Sequence, residues 1–263
     1  MIEFYINLNP ILQALIACIF TFSITALGAG LVIFFKNINK NILDAMLGSA
    51  AGVMIAASFW SLLSPAISLA ETLKMNIILV IATSFISGGL LLFVGDKVFS
   101  NLKIKNKDNN LKKIIMLVSS ITLHNIPEGL AIGVAFGTIA YGLDGATLTS
   151  ACLLAFGIGI QNFPEGTAVS VPLRKYGLSR KKSFIFGSLS GIVEPIAGVI
   201  GAILALKIRV LLPFLLAFAA GAMIYVVVVE LIPESQSNER KDLMAMFTLI
   251  GFTIMMMLDV MLG

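Results

Sequence analysis

Charged side chains are scarce in this sequence. Only 12% of its 263 residues are Asp, Glu, Lys or Arg, whereas 58% are hydrophobic. A soluble domain is ordinarily about one quarter charged. No polar stretch is long enough to fold by itself, so we expect a single transmembrane domain over residues 1–263. The scarcity of charge therefore indicates an all-α polytopic membrane protein.

Cysteine and histidine are also rare, with two Cys residues and one His in the chain. Cys18 and Cys152 both lie in apolar runs, so neither a disulfide framework nor a CxxC metal site is available. Both cysteines are therefore predicted to be small buried residues.

Eight apolar segments are long enough to cross a bilayer, which takes about 20 residues each. The polar connection over residues 100–113, rich in Lys and Asn, is predicted to be a solvated loop. The eight predicted spans cover residues 9–35, 43–69, 74–98, 112–138, 146–171, 183–206, 210–232 and 241–262.

Basic residues are distributed unevenly between alternate connections. Fifteen of the 18 lie on one side of the predicted bundle. Short loops rich in Lys and Arg stay in the cytoplasm, so this side is predicted to be cytoplasmic and both termini to lie outside. The net charge of +4 follows from this bias and does not indicate nucleic-acid binding. The fifteen residues are Lys36, Lys40, Lys97, Lys103, Lys105, Lys107, Lys112, Lys113, Arg174, Lys175, Arg180, Lys181, Lys182, Arg240 and Lys241.

A short stretch occurs twice in the chain. Residues 50–54 read AAGVM, residues 219–223 read AAGAM, and a proline follows each at a similar distance, at Pro65 and Pro233. These copies lie on spans 2 and 7, which run in opposite directions. Spans 1–3 and 6–8 therefore fit inverted repeats around spans 4 and 5, as found in transporters, although small residues at this spacing also serve ordinary helix packing.

Polar residues interrupt the fourth and fifth spans in one shared pattern. Residues 124–129 read HNIPEG and residues 161–166 read QNFPEG. A glutamate at membrane depth is costly and marks a functional site by default. In each motif the first residue and the glutamate are four positions apart and share one helix face. Imidazole, carboxylate and amide oxygen suit a divalent cation such as zinc, so the motifs predict one shared metal site.

Further acidic residues lie in or near the spans. Glu194-Pro195 falls midway along the sixth span, and Pro195 is predicted to free the carbonyl of Gly191. Glu230 lies near the cytoplasmic end of the seventh span and is predicted to be at a pathway exit or facing water. Asp44 and Asp96, at span ends, are predicted to be interfacial, and Asp259 is assigned a structural role.

These motifs resemble those of the ZIP (Zrt-, Irt-like) divalent metal transporters, particularly the bacterial GufA-like branch. The resemblance covers essentially the whole chain and includes Glu194-Pro195 and residues 52–54 and 58–60 (GVM and SFW). It implies a binuclear metal site, a homodimer, and movement of spans 1, 4, 5 and 6 as a unit against spans 2, 3, 7 and 8. The implied ligands are His124, Glu128, Gln161 and Glu165 for one position, and Asn125, Glu128, Asn162, Glu165 and Glu194 for the other. The implied entrance path is lined by Met54, Ser58 and Ser61.

Three departures from the family pattern bear on the metal site. Some members carry Asp where this chain has Asn162, and losing that charge weakens the second metal position. Many eukaryotic members carry His where this chain has Gln161, which bears on metal preference. The loop over residues 100–113 contains no His, so a metal-sensing role for this loop is unsupported.

The sequence thus predicts a transporter that carries divalent cations, zinc first, into the cytoplasm across an inner membrane. Cadmium, iron, manganese, cobalt and nickel remain alternative substrates, and no resident cofactor is expected. An intramembrane metalloenzyme is disfavoured because catalytic zinc often has two or three His ligands. A gated cation channel with a glutamate-lined constriction is a further alternative, which the inverted repeat argues against.

Overall fold

The computed structural model describes residues 5–35, 39–100, 109–142 and 147–262. Over these ranges the regular secondary structure is helical, without strands. Residues 101–108 of the predicted solvated loop lie outside the described ranges. The eight helical spans run Pro10–Phe34, Lys40–Thr72, Ile77–Ser100, Asn109–Ile139, Leu148–Lys175, Arg180–Lys207, Arg209–Ser235 and Lys241–Leu262.

Six of the eight spans are long and apolar enough, over their described residues, to cross a membrane. Spans 4 and 5, which carry the two polar motifs, are not among the six. The polytopic all-helical architecture predicted from composition is therefore confirmed.

Short polar residues fix where several spans begin. Asn9 precedes Pro10 and accepts a 2.9 Å hydrogen bond from the backbone N–H of Leu12. Thr147 and Ser150 form a reciprocal capping box at the start of span 5, and Ser179 caps span 6 in the same way as Asn9 caps span 1. These side chains satisfy N–H groups that the first helical turn leaves without partners.

Spans 2 and 7 share an irregularity that the sequence repeat did not predict. Each contains a π-helical segment, over Ser58–Leu63 and over Val227–Leu231. Each segment starts eight residues after its Ala-Ala-Gly copy begins, and α-helix resumes one residue before the following proline. π-helical turns are rare and often occur at functional sites, so the two copies match in backbone shape as well as in sequence.

Span 6 is broken shortly before Glu194. Its two helices cover Arg180–Leu189 and Val193–Lys207, joined by a turn. The prediction that Pro195 frees the carbonyl of Gly191 is wrong, because that carbonyl accepts a 3.0 Å hydrogen bond from the N–H of Glu194. The chain leaves the helix before the proline is reached, so the i+3 bond of the turn replaces the missing i+4 bond.

The spans pack as two groups. Span 1 packs on span 5 and span 4 on span 6, whereas span 2 packs on span 8 and span 3 on span 7. Glycines allow the backbones to approach closely at equivalent places. Gly52 of span 2 lies against the Thr248 carbonyl of span 8, and Gly221 of span 7 lies against the Phe85 carbonyl of span 3. These matched contacts fit the inverted repeat.

Candidate metal site

Each motif glycine brings a neighbouring span against the polar residues before it. Gly129 of span 4 contacts the backbone of Glu194 on span 6, and Gly166 of span 5 contacts the backbone of Thr25 on span 1. A Cβ atom at either position would overlap the neighbouring main chain. The α-helix continues through Pro127 and Pro164. The motifs therefore place spans 1, 4, 5 and 6 around one buried polar region.

The seven residues predicted as metal ligands are all buried. Glu128, Gln161, Asn162 and Glu194 are fully buried, and none of the seven exposes more than 6% of its surface. The carboxyl groups of Glu128, Glu165 and Glu194 lie close enough to interact electrostatically. The structure thus brings together, inside the bundle, the three glutamates that the sequence places on separate spans.

Six of these seven residues have a buried side-chain atom without a hydrogen-bond partner in the described part of the chain. Buried polar atoms are ordinarily satisfied, and an unsatisfied group in a native structure points to a function or a ligand. The six atoms are His124 Nε2, Asn125 Oδ1, Glu128 Oε2, Gln161 Oε1, Asn162 Oδ1 and Glu165 Oε1. Each is an atom that can donate a lone pair to a cation.

Glu194 differs from the other six because both of its oxygens accept hydrogen bonds. The side-chain amide of Asn162 donates to Oε1 and to Oε2, each at 3.0 Å. The hydroxyl of Thr21 donates to Oε2, and that of Thr25 lies 3.5 Å from Oε1. Span 1 thereby contributes two hydroxyl groups to a region that sequence reasoning assigned to spans 4–6.

A second group of possible ligands lies beside the first and includes His124. One ligand atom each from Asp96, His124 and Glu230 lie within 4.8 Å of one another. Nδ1 of His124 is 3.2 Å from Oε2 of Glu230, while the hydroxyl of Tyr225 donates to Asp96 at 3.3 Å. His124 therefore contacts span 7 through Nδ1, while Nε2 has no hydrogen-bond partner within the described ranges.

The residues predicted to line an entrance path lie at or just before the π-helical segment of span 2. Met54 and Ser58 are buried, and the Ser58 hydroxyl has no hydrogen-bond partner in the described structure. Ser61 donates a 2.8 Å hydrogen bond to the buried Asp259 of span 8. Asp259, which is predicted to have a structural role, therefore also contacts a residue of the predicted entrance path.

A cavity of about 590 Å³ lies between spans 2, 5 and 8, on the far side of the span 5 motif. Phe163 and Pro164 of the motif line it, together with apolar residues such as Ile42, Met46 and Phe247. No imidazole or carboxylate contributes to the lining. This cavity therefore lacks the imidazole and carboxylate ligands predicted for the metal site.

Comparison with known proteins bears on the whole chain. Residues 104–259 match the sequence model of the ZIP Zinc transporter family. Zinc transporter ZIP11 of Xenopus tropicalis is 37% identical, over 97% of this chain and 98% of its own length. Zinc transporter ZIPB of Bordetella bronchiseptica is 35% identical over 92% and 79%. Zinc transporter GufA of Myxococcus xanthus is 32% identical over 95% and 98%. The chain therefore belongs to the ZIP family.

Proposed function

We propose that this protein carries divalent cations, zinc first, across a membrane and into the cytoplasm. The cation binds between spans 4 and 5 to His124, Glu128, Gln161 and Glu165. The observation that carries this proposal is that each of the four keeps one buried lone-pair atom without a hydrogen-bond partner among the residues that the structure describes. Zinc takes four ligands of nitrogen or oxygen type in its usual tetrahedral geometry.

The chemistry of these donors favours zinc without excluding its neighbours. One imidazole, two carboxylates and an amide oxygen form a site with both nitrogen and oxygen ligands. The affinity of such a site generally rises from manganese through iron and cobalt to nickel, whichever protein carries it, so the ligand types alone do not select one metal. Competition by cadmium, iron, manganese, cobalt and nickel against bound zinc in the purified protein gives the ranking.

The packing of the spans into two groups fits a carrier in which one group moves against the other. Spans 1, 4, 5 and 6 surround the candidate ligands of spans 4 and 5 and pack mainly with one another, while spans 2, 3, 7 and 8 form the other group. Alternating access in such transporters is largely a movement of one bundle against the other. Transport requires no catalytic residue, and the relatives are named as zinc transporters.

Entrance and exit lie at the two π-helical segments in this proposal. Met54, Ser58 and Ser61 line the approach from outside, and Glu230, beside His124, receives the cation on the way to the cytoplasm. Support comes from the contacts of these residues, since Ser61 bonds to Asp259 and Glu230 lies 3.2 Å from the ring of His124. Carboxylate and hydroxyl oxygens along this path can bind a hydrated divalent cation such as zinc.

We place the protein in the inner membrane as a homodimer, with both termini outside. The orientation rests on the bias of basic residues, and the dimer rests on the family resemblance. Cross-linking in native membranes, followed by mass determination, tests the dimer, because a chain that remains monomeric at every cross-linker concentration contradicts it.

Zinc flux into liposomes tests the proposed function. Purified protein is reconstituted around a fluorescent zinc indicator, and initial rates are measured against external zinc. The E128Q/E165Q variant keeps the side-chain size but removes both charges. The matched control, E71Q/E234Q, changes two exposed glutamates at span ends.

We expect saturable flux in the unmodified protein and in E71Q/E234Q, and none above background in E128Q/E165Q. Fast flux that rises almost linearly with zinc would indicate a channel. Equal flux in all three proteins would remove the two motif glutamates from the transport site.

A further inference from the structure

We propose that Glu194 is a positioning residue, held by span 1 and Asn162, and that the central site of this chain binds one zinc ion rather than two. This inference rests on the proposed function, because it specifies how many ions the site between spans 4 and 5 accepts. It departs from the ligand set implied by the family resemblance, in which Glu194 contributes to a second metal position.

Both oxygens of Glu194 already accept hydrogen bonds. The hydroxyl of Thr21 donates to Oε2, and the amide nitrogen of Asn162 lies 3.0 Å from both oxygens. The one hydrogen of the Thr25 hydroxyl is shared between Oε1 of Glu194, at 3.5 Å, and the carbonyl of Thr21, at 3.3 Å. An ion that used Glu194 as a ligand would compete with these donors inside a buried region, where unsatisfied polar groups are costly.

The orientation of the Asn162 amide is fixed by its surroundings. Its NH₂ group faces three acceptors, namely the two carboxylate oxygens of Glu194 and the backbone carbonyl of Thr21 at 3.3 Å. Exchanging the oxygen and nitrogen atoms would point Oδ1 at three acceptors and break every one of these bonds. Asn162 therefore presents donors where a metal ion would otherwise sit beside Glu194.

The other glutamates of the site are not held in this way. Glu128 keeps Oε2 and Glu165 keeps Oε1 without hydrogen-bond partners in the described structure, whereas neither oxygen of Glu194 is in that state. The second position would thus have two amide oxygens, from Asn125 and Asn162, and no carboxylate of its own. One ion shared by Glu128 and Glu165 satisfies the atoms that lack partners.

The break in span 6 is also held by a side chain of the site. Asn125 donates a 2.8 Å hydrogen bond to the carbonyl of Ser190, at the first residue of the break. Spans 1, 4 and 5 therefore all fix the segment from Ser190 to Glu194. Neighbours that orient the groups of a metal site commonly change metal affinity by about 10- to 100-fold when they are removed.

Counting bound zinc tests the number of ions. Equilibrium dialysis against zinc, with metal analysis of the purified protein, is applied to the unmodified chain, E194Q, N162D and N162D/E194Q. We expect one zinc per chain in the unmodified protein and in E194Q. We expect two in N162D, because Asp cannot donate to Glu194 and adds a carboxylate ligand, and one again in N162D/E194Q.

The role of span 1 is tested at Thr21. T21V keeps the side-chain shape without the hydroxyl, T21S restores the donor, and T83V removes a hydroxyl that bonds only to its own helix. We expect about 10-fold weaker zinc binding in T21V, recovery in T21S and no change in T83V. A purely structural role for Thr21 would lower thermal stability in T21V while leaving zinc affinity unchanged.

The possible failures are distinguishable. Two zinc ions in the unmodified chain with one lost in E194Q would overturn this inference alone, and so would a single ion in N162D. Zinc binding that is absent from the unmodified chain, or unaffected in E128Q/E165Q, would overturn the proposed function and this inference with it.

Discussion

The side-chain amide of Gln161 on span 5 donates a 2.5 Å hydrogen bond to Oε1 of Glu128 on span 4. The contact joins the first residue of one motif to the glutamate of the other. It leaves Oε2 of Glu128 and Oε1 of Gln161 without partners in the described structure. The two motifs are therefore joined by a direct side-chain contact across the helix interface.

Removing this hydrogen bond should weaken zinc binding. Q161L deletes both the donor to Glu128 and a candidate ligand oxygen, so we expect about 10- to 100-fold lower affinity. Calorimetry of zinc binding to the purified protein measures the change. Q236L, outside the polar region, is the control, and unchanged affinity in Q161L would show that the contact has no bearing on the metal.

Glu230 should affect movement of the ion more than its binding. Its carboxylate contacts Nδ1 of His124, whereas the ring nitrogen proposed to bind the ion is Nε2, so E230Q should lower zinc flux while leaving equilibrium zinc affinity within about 3-fold. E234Q, one turn later and exposed, should leave both unchanged. A loss of affinity in E230Q as large as its loss of flux would place Glu230 among the ligands of the central site.

The spacing of residues along one helix was enough to predict those features of the site that lie within a single span. The four-residue spacing within each motif was enough to place His124 with Glu128 and Gln161 with Glu165 on shared helix faces. Contacts between distant segments had no such signal. Thr21 lies 173 positions before Glu194, and a threonine in an apolar span is ordinary. Asp96 was assigned to the interface because it lies near a span end, and its proximity to His124 depends on how spans 3, 4 and 7 pack.

The backbone irregularities were also beyond local pattern. The Ala-Ala-Gly repeat predicts that spans 2 and 7 are equivalent elements of an inverted repeat. No residue in the repeat predicts a π-helical segment. The break in span 6 includes Ser190-Gly191, a dipeptide typical of turns, but small residues inside an apolar span also serve helix packing, so the dipeptide alone does not predict a break. In both cases the tertiary contacts, rather than intrinsic helix preference, decide the local conformation.

Close packing between spans 1 and 5 gives a stability prediction. A Cβ at Gly28 would overlap the carbonyl of Phe163, whereas a Cβ at Gly30 would meet no atom nearer than 3.9 Å. G28A should therefore lower the thermal transition of the detergent-purified protein and reduce zinc binding, while G30A should change neither. Equal behaviour of the two variants would contradict the close approach of these spans.

The orientation of the chain in the membrane can be tested by labelling introduced cysteines with a thiol reagent that does not cross the membrane. Residue 106 lies outside the described ranges, in the basic loop predicted to be cytoplasmic. In a C18S/C152S background, a Cys replacing Asn106 should resist a membrane-impermeant thiol reagent applied to intact cells. A Cys replacing Lys74, on the opposite predicted side, should react. Labelling at Asn106 as strong as at Lys74 would reverse the assigned orientation and the direction of uptake.

The most direct test of the account is whether Glu128 and Glu165 bind the same ion. Zinc affinity is measured for E128A, E165A and the double variant under identical conditions. Residues that act as one unit are not additive, so each single change should remove most of the binding and the double change should add little. Two independent losses that sum in the double variant would mean separate sites and would contradict a shared ion between spans 4 and 5.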